Sequence, residues 1–126
     1  MVGGATVRSA DIPDEQGPIN RVSLSGWVLR QPKRRMSPAG VAIWTLWLEH
    51  RSTLCEAGVA RTVRAQVPVV ATGTALAQIC AQLFAGSQIR LHGFLAARSL
   101  RQPEDRVRLV VHATEIEVLR RPGATP

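Results

Sequence analysis

"ATGTALAQICAQLFAG", Ala71–Gly86, is the stretch of this 126-residue chain that has a helical rhythm. Leu76, Ile79, Cys80, Leu83 and Phe84 recur at the three- and four-residue intervals of one helix face. Thr74 suits the start of that helix, and Gly86 suits its C-terminal cap. The segments on both sides alternate instead, which is the mark of half-buried strands.

Before the helix come three such runs. In "NRVSLSGWVLRQ" (20–31), Val22, Leu24 and Val28 fall on alternate positions with Gly26 between them. In "VAIWTLWLEHR" (41–51), Trp44, Leu46 and Leu48 share one face, and Ile43, Thr45, Trp47 and Glu49 the other. "STLCEAG" turns the chain at Gly58, and "VARTVRAQVPVV" (59–70) alternates again. After the helix, "SQIRLHGFLAARS" (87–99) and "VRLVVHATEIEVL" (107–119) are the fourth and fifth strands, joined by the polar loop "LRQPEDR".

The order is therefore β-β-β-α-β-β: an all-β fold with one helix. Five short strands with a lone helix between the third and fourth fit a five-stranded Greek-key barrel, the OB-fold. A mixed α+β sheet and an SH3-like barrel are the alternatives. Gly26 and Gly93 sit mid-strand, where a closing barrel bends or where backbones approach closely. Residues 1–18, rich in Gly, Pro and acid, read as a flexible N-terminal tail. Residues 19–120 form the domain, and 121–126 a short C-terminal tail.

The net charge of +7 is uneven. Residues 1–19 hold Arg8 against Asp11, Asp14 and Glu15, a net of −2, which leaves +9 for the remainder. All cations but Lys33 are Arg, whose planar fork binds phosphate in bidentate fashion and stacks on rings. On the barrel topology, Lys33, Arg34 and Arg35 occupy the loop between the first two strands, "QPKRRMSPAG". Arg98, Arg101, Arg106 and Arg108 occupy the loop between the last two and its flanks, with Glu104 and Asp105 partly cancelling them. Those loops flank the oligonucleotide groove of this fold. Arg51, Arg61 and Arg64 border the hairpin that forms the groove floor. Charge belongs on solvated loops in any protein; the convergence of two basic loops on one face is what points to a polyanion.

Single-strand binding also needs rings for bases to stack on. The supply is Trp27, Trp44, Trp47, Phe84 and Phe94, with no Tyr. Alternation sends Trp44 to the core, and helical spacing puts Phe84 on the helix's apolar face. Trp47 points outward and is the stacking candidate; Trp27 is also outward, and a subunit interface suits both rings at least as well.

Other chemistry finds little support. Cys55 and Cys80 have neither CxxC spacing nor a His set that would read as zinc, and they fit a reducing, cytoplasmic setting. The chain has no apolar run long enough for a membrane span. No secretion signal is visible at its start. His50, His92 and His112 lie in or at the end of strands, with no nucleophile elbow, His-Glu helix motif or phosphate-binding glycine loop. Glu115 and Glu117 alternate on one strand face as solvated acids. No catalytic residues, metal or cofactor are expected.

From Asn20 onward the chain resembles the primosomal replication protein N (PriB) family. The matching pieces are "NRVSLSGWV", "SPAG", "LEHRS", "EAG", "QVPVV", "GSQIRLHGF" and "VVHATEIEVL", in order across residues 20–119. The resemblance implies a cytoplasmic homodimer of OB-folds that binds single-stranded DNA and helps the primosomal helicase, among other primosome proteins, at stalled forks, with no catalysis of its own. It also implies DNA contacts at Arg35, Arg51, Arg101 and Arg108, with Ser99 in place of a further basic residue. Where some members place stacking aromatics, this chain has Arg64 and Val59. Each lost stack is worth about 1–3 kcal/mol, which Arg64 offsets in part by phosphate contact or by lying flat on a base. The first strands of two subunits are implied to pair edge to edge, which would bury Val22, Leu24, Trp27 and Leu29. A partner-binding adaptor for the helicase with weak or no DNA affinity of its own is the alternative. An RNA-binding module of cold-shock type would carry aromatic-rich motifs, and "RTVRAQV" is not one.

Overall fold

The computed structural model describes residues 17–99, 101, 103, 106 and 108–123. Most of the expected N-terminal tail (1–16) and the last three residues lie outside this range. Six strands and one helix follow in order: β1 (Val22–Val28), β2 (Lys33–Met36), β3 (Ala42–Glu56), β4 (Val59–Thr72), α1 (Thr74–Cys80), β5 (Gln88–Ala97) and β6 (Leu109–Arg120).

Five of these strands close into a ring, β1-β5-β6-β4-β3, which returns to β1 through Trp27 opposite Glu49 and Val28 opposite Leu48. All pairings are antiparallel except β4 with β6. This is the five-stranded barrel that the element order predicts. Closure requires backbones to come very near each other, and glycine permits it. A Cβ on Gly26 would stand 2.1 Å from the Glu49 carbonyl oxygen, and one on Gly93 would stand 1.9 Å from that of His112. Alternate residues point inward, so Val28, Leu46, Leu48, Val69, Ile89, Leu91 and Val111 fill the barrel. Val22 and Leu24 are half-buried against this core.

Three expectations change. The stretch read as a loop after the first strand contains β2, which among the described residues pairs only with β3. Its Lys-Arg-Arg-Met sequence has no strand pattern of its own; the neighbouring β3 backbone supplies the partners. Ser37 and Gly40 close the short turn, with the Gly40 N–H donating to the Ser37 carbonyl at 2.9 Å. Gly40 has φ +83°, a value glycine adopts without strain.

The helix is also shorter than its apolar rhythm suggests. It begins after Gly73, with no side-chain cap from Thr74, and ends at Cys80. Gln82 and Leu83 then donate to the carbonyls of Ile79 and Cys80, bonds that reach back three residues and tighten the chain. That tightening turns Leu83 into the core, fully buried, and leaves Phe84 outside and 54% exposed. Gly86 serves the turn into β5 rather than capping the helix.

Finally, "STLCE" is strand, not turn. β3 and β4 stay paired out to Glu56 and Val59, joined by Ala57 and Gly58. Both turn residues have positive φ, 52° and 78°, the backbone of a two-residue hairpin turn that matches strand twist. The outer half of this hairpin leaves the barrel as an exposed arm, with Leu54 56% and Val59 62% exposed.

Candidate nucleic-acid interface

Register decides which charges can act together. Across β2 and β3, Lys33 lies opposite Thr45 and Arg35 opposite Ile43, so these cations share the outer face with Trp47, Glu49 and Arg51. Arg34 lies opposite Trp44 and therefore turns to the other side. There its Nη2 donates to the Met36 sulfur. Across β3 and β4, Trp47 stands beside Pro68, Glu49 beside Gln66, and Arg51 beside Arg64. One outward surface thus runs from β2 over β3 to β4.

It holds a cleft of about 430 Å³, bordered by Arg30, Lys33, Arg35, Trp47, Pro68, Arg98 and His112. The Arg30 guanidinium lies over the Trp47 ring, 5.8 Å from its centre, at cation–π range. No carboxylate borders the cleft among the described residues. His112 stacks in turn on Phe94 of β5, ring centres 5.1 Å apart and planes 4° from parallel.

Farther along β3 and β4 the charges are compensated. Arg51 and Arg64 each donate through Nε to the same Glu49 oxygen at 2.9 Å, and Gln66 donates to the other oxygen at 3.4 Å. Glu49 is buried, 7% exposed, which is tolerable only because its oxygens are occupied. The hydrogen bond from Arg51, then that from Arg64, holds its carboxyl below the usual value of 4.5. Both arginines leave their outer nitrogens in solvent, with side chains 59% and 60% exposed. Arg61 alternates to the opposite side of the arm and pairs with Glu56 at 2.7 Å.

Among the cations expected at the site, Lys33, Arg35 and Arg98 thus meet in the cleft with Trp47. Arg51 and Arg64 extend the same face, and Arg34 and Arg61 face away from it. Arg101, Arg106 and Arg108 are exposed and lie outside the cleft lining. The loop is anchored at its base, where the Arg98 N–H donates to the Arg108 carbonyl at 2.8 Å. Sequence reading missed Arg30, His112 and Phe94. Arg30 carried a usable signal, lying three residues before the basic cluster; the other two are placed only by the β4–β6–β5 register.

Trp44 is half-buried against the core, as alternation requires. Trp27 stands outward on β1, 43% exposed. Val22 and Leu24, expected in a subunit contact, turn toward the core, and Leu29 is half-buried. Among the described residues, no group of three His, Cys, Asp or Glu is placed to hold a metal, and no helix is long and apolar enough to cross a membrane.

Comparison with known proteins identifies the family. Residues 20–115 match a family described as another single-strand binding protein family. The replication restart protein PriB of Vibrio vulnificus is 41% identical over 97 residues, covering 77% of this chain and 95% of that protein. PriB of Pectobacterium carotovorum is 35% identical, covering 80% and 93%. Among solved structures, PriB from Ralstonia solanacearum superposes with a TM-score of 0.69 at 27% identity, covering 82% of this chain and all of that one. The single-stranded DNA binding protein of Thermus aquaticus gives 0.68 at 28% identity, covering 85% of this chain and 53% of that one. A barrel of the same build, matched over most of its length by PriB proteins and by the single-strand binding family, shows that the chain belongs to the PriB family of single-strand binding proteins.

Proposed function

We propose that this protein binds single-stranded DNA without sequence preference and serves in the restart of replication. The observation that carries the reading is the cleft, where Arg30, Lys33, Arg35 and Arg98 surround Trp47 with no acid at its border among the described residues. Cations that track a phosphate backbone beside a ring that stacks on bases are the two requirements of sequence-tolerant single-strand binding. Arg51 and Arg64 continue the track along the arm, and Arg101, Arg106 and Arg108 supply further positive charge. An adaptor with no DNA affinity of its own would have no use for such a cleft.

Primosome proteins, the helicase among them, are the protein partners this role calls for, and the cytoplasm is where they meet the DNA. We assign no catalytic step and no cofactor. His50 is held within the sheet by the Ser25 carbonyl and the Ser52 hydroxyl, and His92 by the Ser23 hydroxyl.

A homodimer fits the exposed side of β1. Residues Val22–Gly26 pair with β5 on one side and with no described strand on the other. A second copy's β1 fits that edge, with Trp27 covered by the contact. Light scattering that returns a monomer mass would remove this part of the proposal.

Titration of a fluorescent oligonucleotide at several salt concentrations tests the main reading. Binding should weaken with a log–log slope near −0.7 per neutralised phosphate. A flat salt response would overturn it.

A further inference from the structure

We infer that the stacked pair Phe94–His112 is a second base-stacking site, so that a bound strand crosses the barrel from β3 over β4 and β6 to β5. The inference rests on the single-strand reading above and names a part of its path.

The rings form a line. Trp47 on β3 adjoins Pro68 on β4; two residues on, Val70 adjoins His112 on β6; and His112 adjoins Phe94 on β5. Trp47, Pro68, Val70 and His112 border one cleft, and Phe94 lies flat against His112 at its far side. Three strand-to-strand steps of about 4.8 Å separate the two ends, so the line is about 14 Å long. That leaves room for more than one nucleotide, with the phosphates facing Lys33, Arg35 and Arg98.

A singly exposed apolar side chain is ordinary. Phe94 differs in what surrounds it. The ring is 40% exposed although it sits mid-strand in the barrel wall. One of its faces is occupied by His112, which leaves the other for a ligand. Gly93 makes the stack possible, because its missing Cβ lets β5 approach the His112 carbonyl. Imidazole is itself a flat ring, so a base laid on Phe94 extends a stack already begun. The cationic rim beside it matches the phosphates such a base would carry.

The test compares an oligothymidine with the same oligomer carrying abasic residues, which keeps the charge and removes the rings. The wild-type protein should prefer the oligothymidine. Phe94→Leu keeps an apolar side chain without the ring; it should weaken oligothymidine binding by about fivefold or more and narrow that preference. Arg51→Ala should weaken both oligomers by the same factor. Phe94→Leu binding with wild-type affinity and preference would overturn the inference while leaving the single-strand reading intact. Wild-type protein that binds neither oligomer would overturn both. If Phe94→Leu does not fold, the His112 ring protons of the wild-type protein give the answer by NMR. A shift with oligothymidine but not with the abasic strand supports the stack, and no shift with either overturns it.

Discussion

Arg51 and Arg64 stand directly opposite each other on β3 and β4, and the single carboxylate of Glu49 holds both. Like charges placed opposite on a sheet repel; here a buried acid between them reverses the sign. Because the folded state depresses the Glu49 pKa, its contribution is present above the unfolded value of 4.5 and is lost as pH falls through the lower folded value. Glu49→Gln should therefore lower the melting temperature at pH 7. The gap from wild type should shrink below pH 4.5 and close once the folded pKa is passed. Thermal melts from pH 7 down to pH 2 check this, and a gap that is constant with pH would refute the clamp.

The alternation along β2 separates two neighbouring arginines. Arg35→Ala should weaken single-stranded DNA binding severalfold and reduce the salt slope by about 0.7, the loss of one phosphate contact. Arg34→Ala, whose side chain turns to the opposite face beside Met36, should leave both quantities near wild type. Equal losses in the two variants would show that the outer face does not select between them.

Backbone contact at Gly93 leaves no room for a side chain, since the added carbon would overlap the His112 carbonyl. Gly93→Ala should cost about 3 kcal/mol, at the upper end of overpacking effects, because neither strand can yield without opening the ring. Gly26→Ala should behave alike through Glu49. Urea unfolding measures both, and a change below about 1 kcal/mol would mean that the strands give way.

The two thiols should differ in reactivity. Cys55 is exposed on the arm, whereas Cys80 is fully buried at the end of α1, and burial pushes its pKa up to about 11. Since the thiolate is the reactive form, a thiol reagent at pH 8 should modify one cysteine quickly in the native protein. The second should react only after denaturant is added. Rapid modification of both would contradict the packing around α1.

Much of this architecture could be read from residue order. Period-two runs located the ring strands, because each has one face in the core, and the short apolar helix after the third run fixed the topology. The outer-face charge of Lys33 and Arg35 was legible as a cluster but not as a strand. β2 buries no apolar side chain, so nothing in its composition encodes it. Phe84 was misplaced because periodicity cannot tell where a helix tightens, and only the burial of Leu83 explains that change. The Glu49 clamp and the Phe94 stack depend on the register between paired strands, which no single run of residues carries. A two-residue turn at Ala57–Gly58 sets the first, and a shift in pairing between His92 and Gly93 sets the second.

Among the described residues β2 borders β3 alone, and the barrel closes without it. Two of the cleft's cations therefore ride on an element whose side chains contribute nothing to the interior. On the single-strand reading, substitutions there should alter the grip on a polyanion and leave folding near wild type. A lineage can thus retune its hold on nucleic acid, up or down, through a handful of codons and without risk to the scaffold.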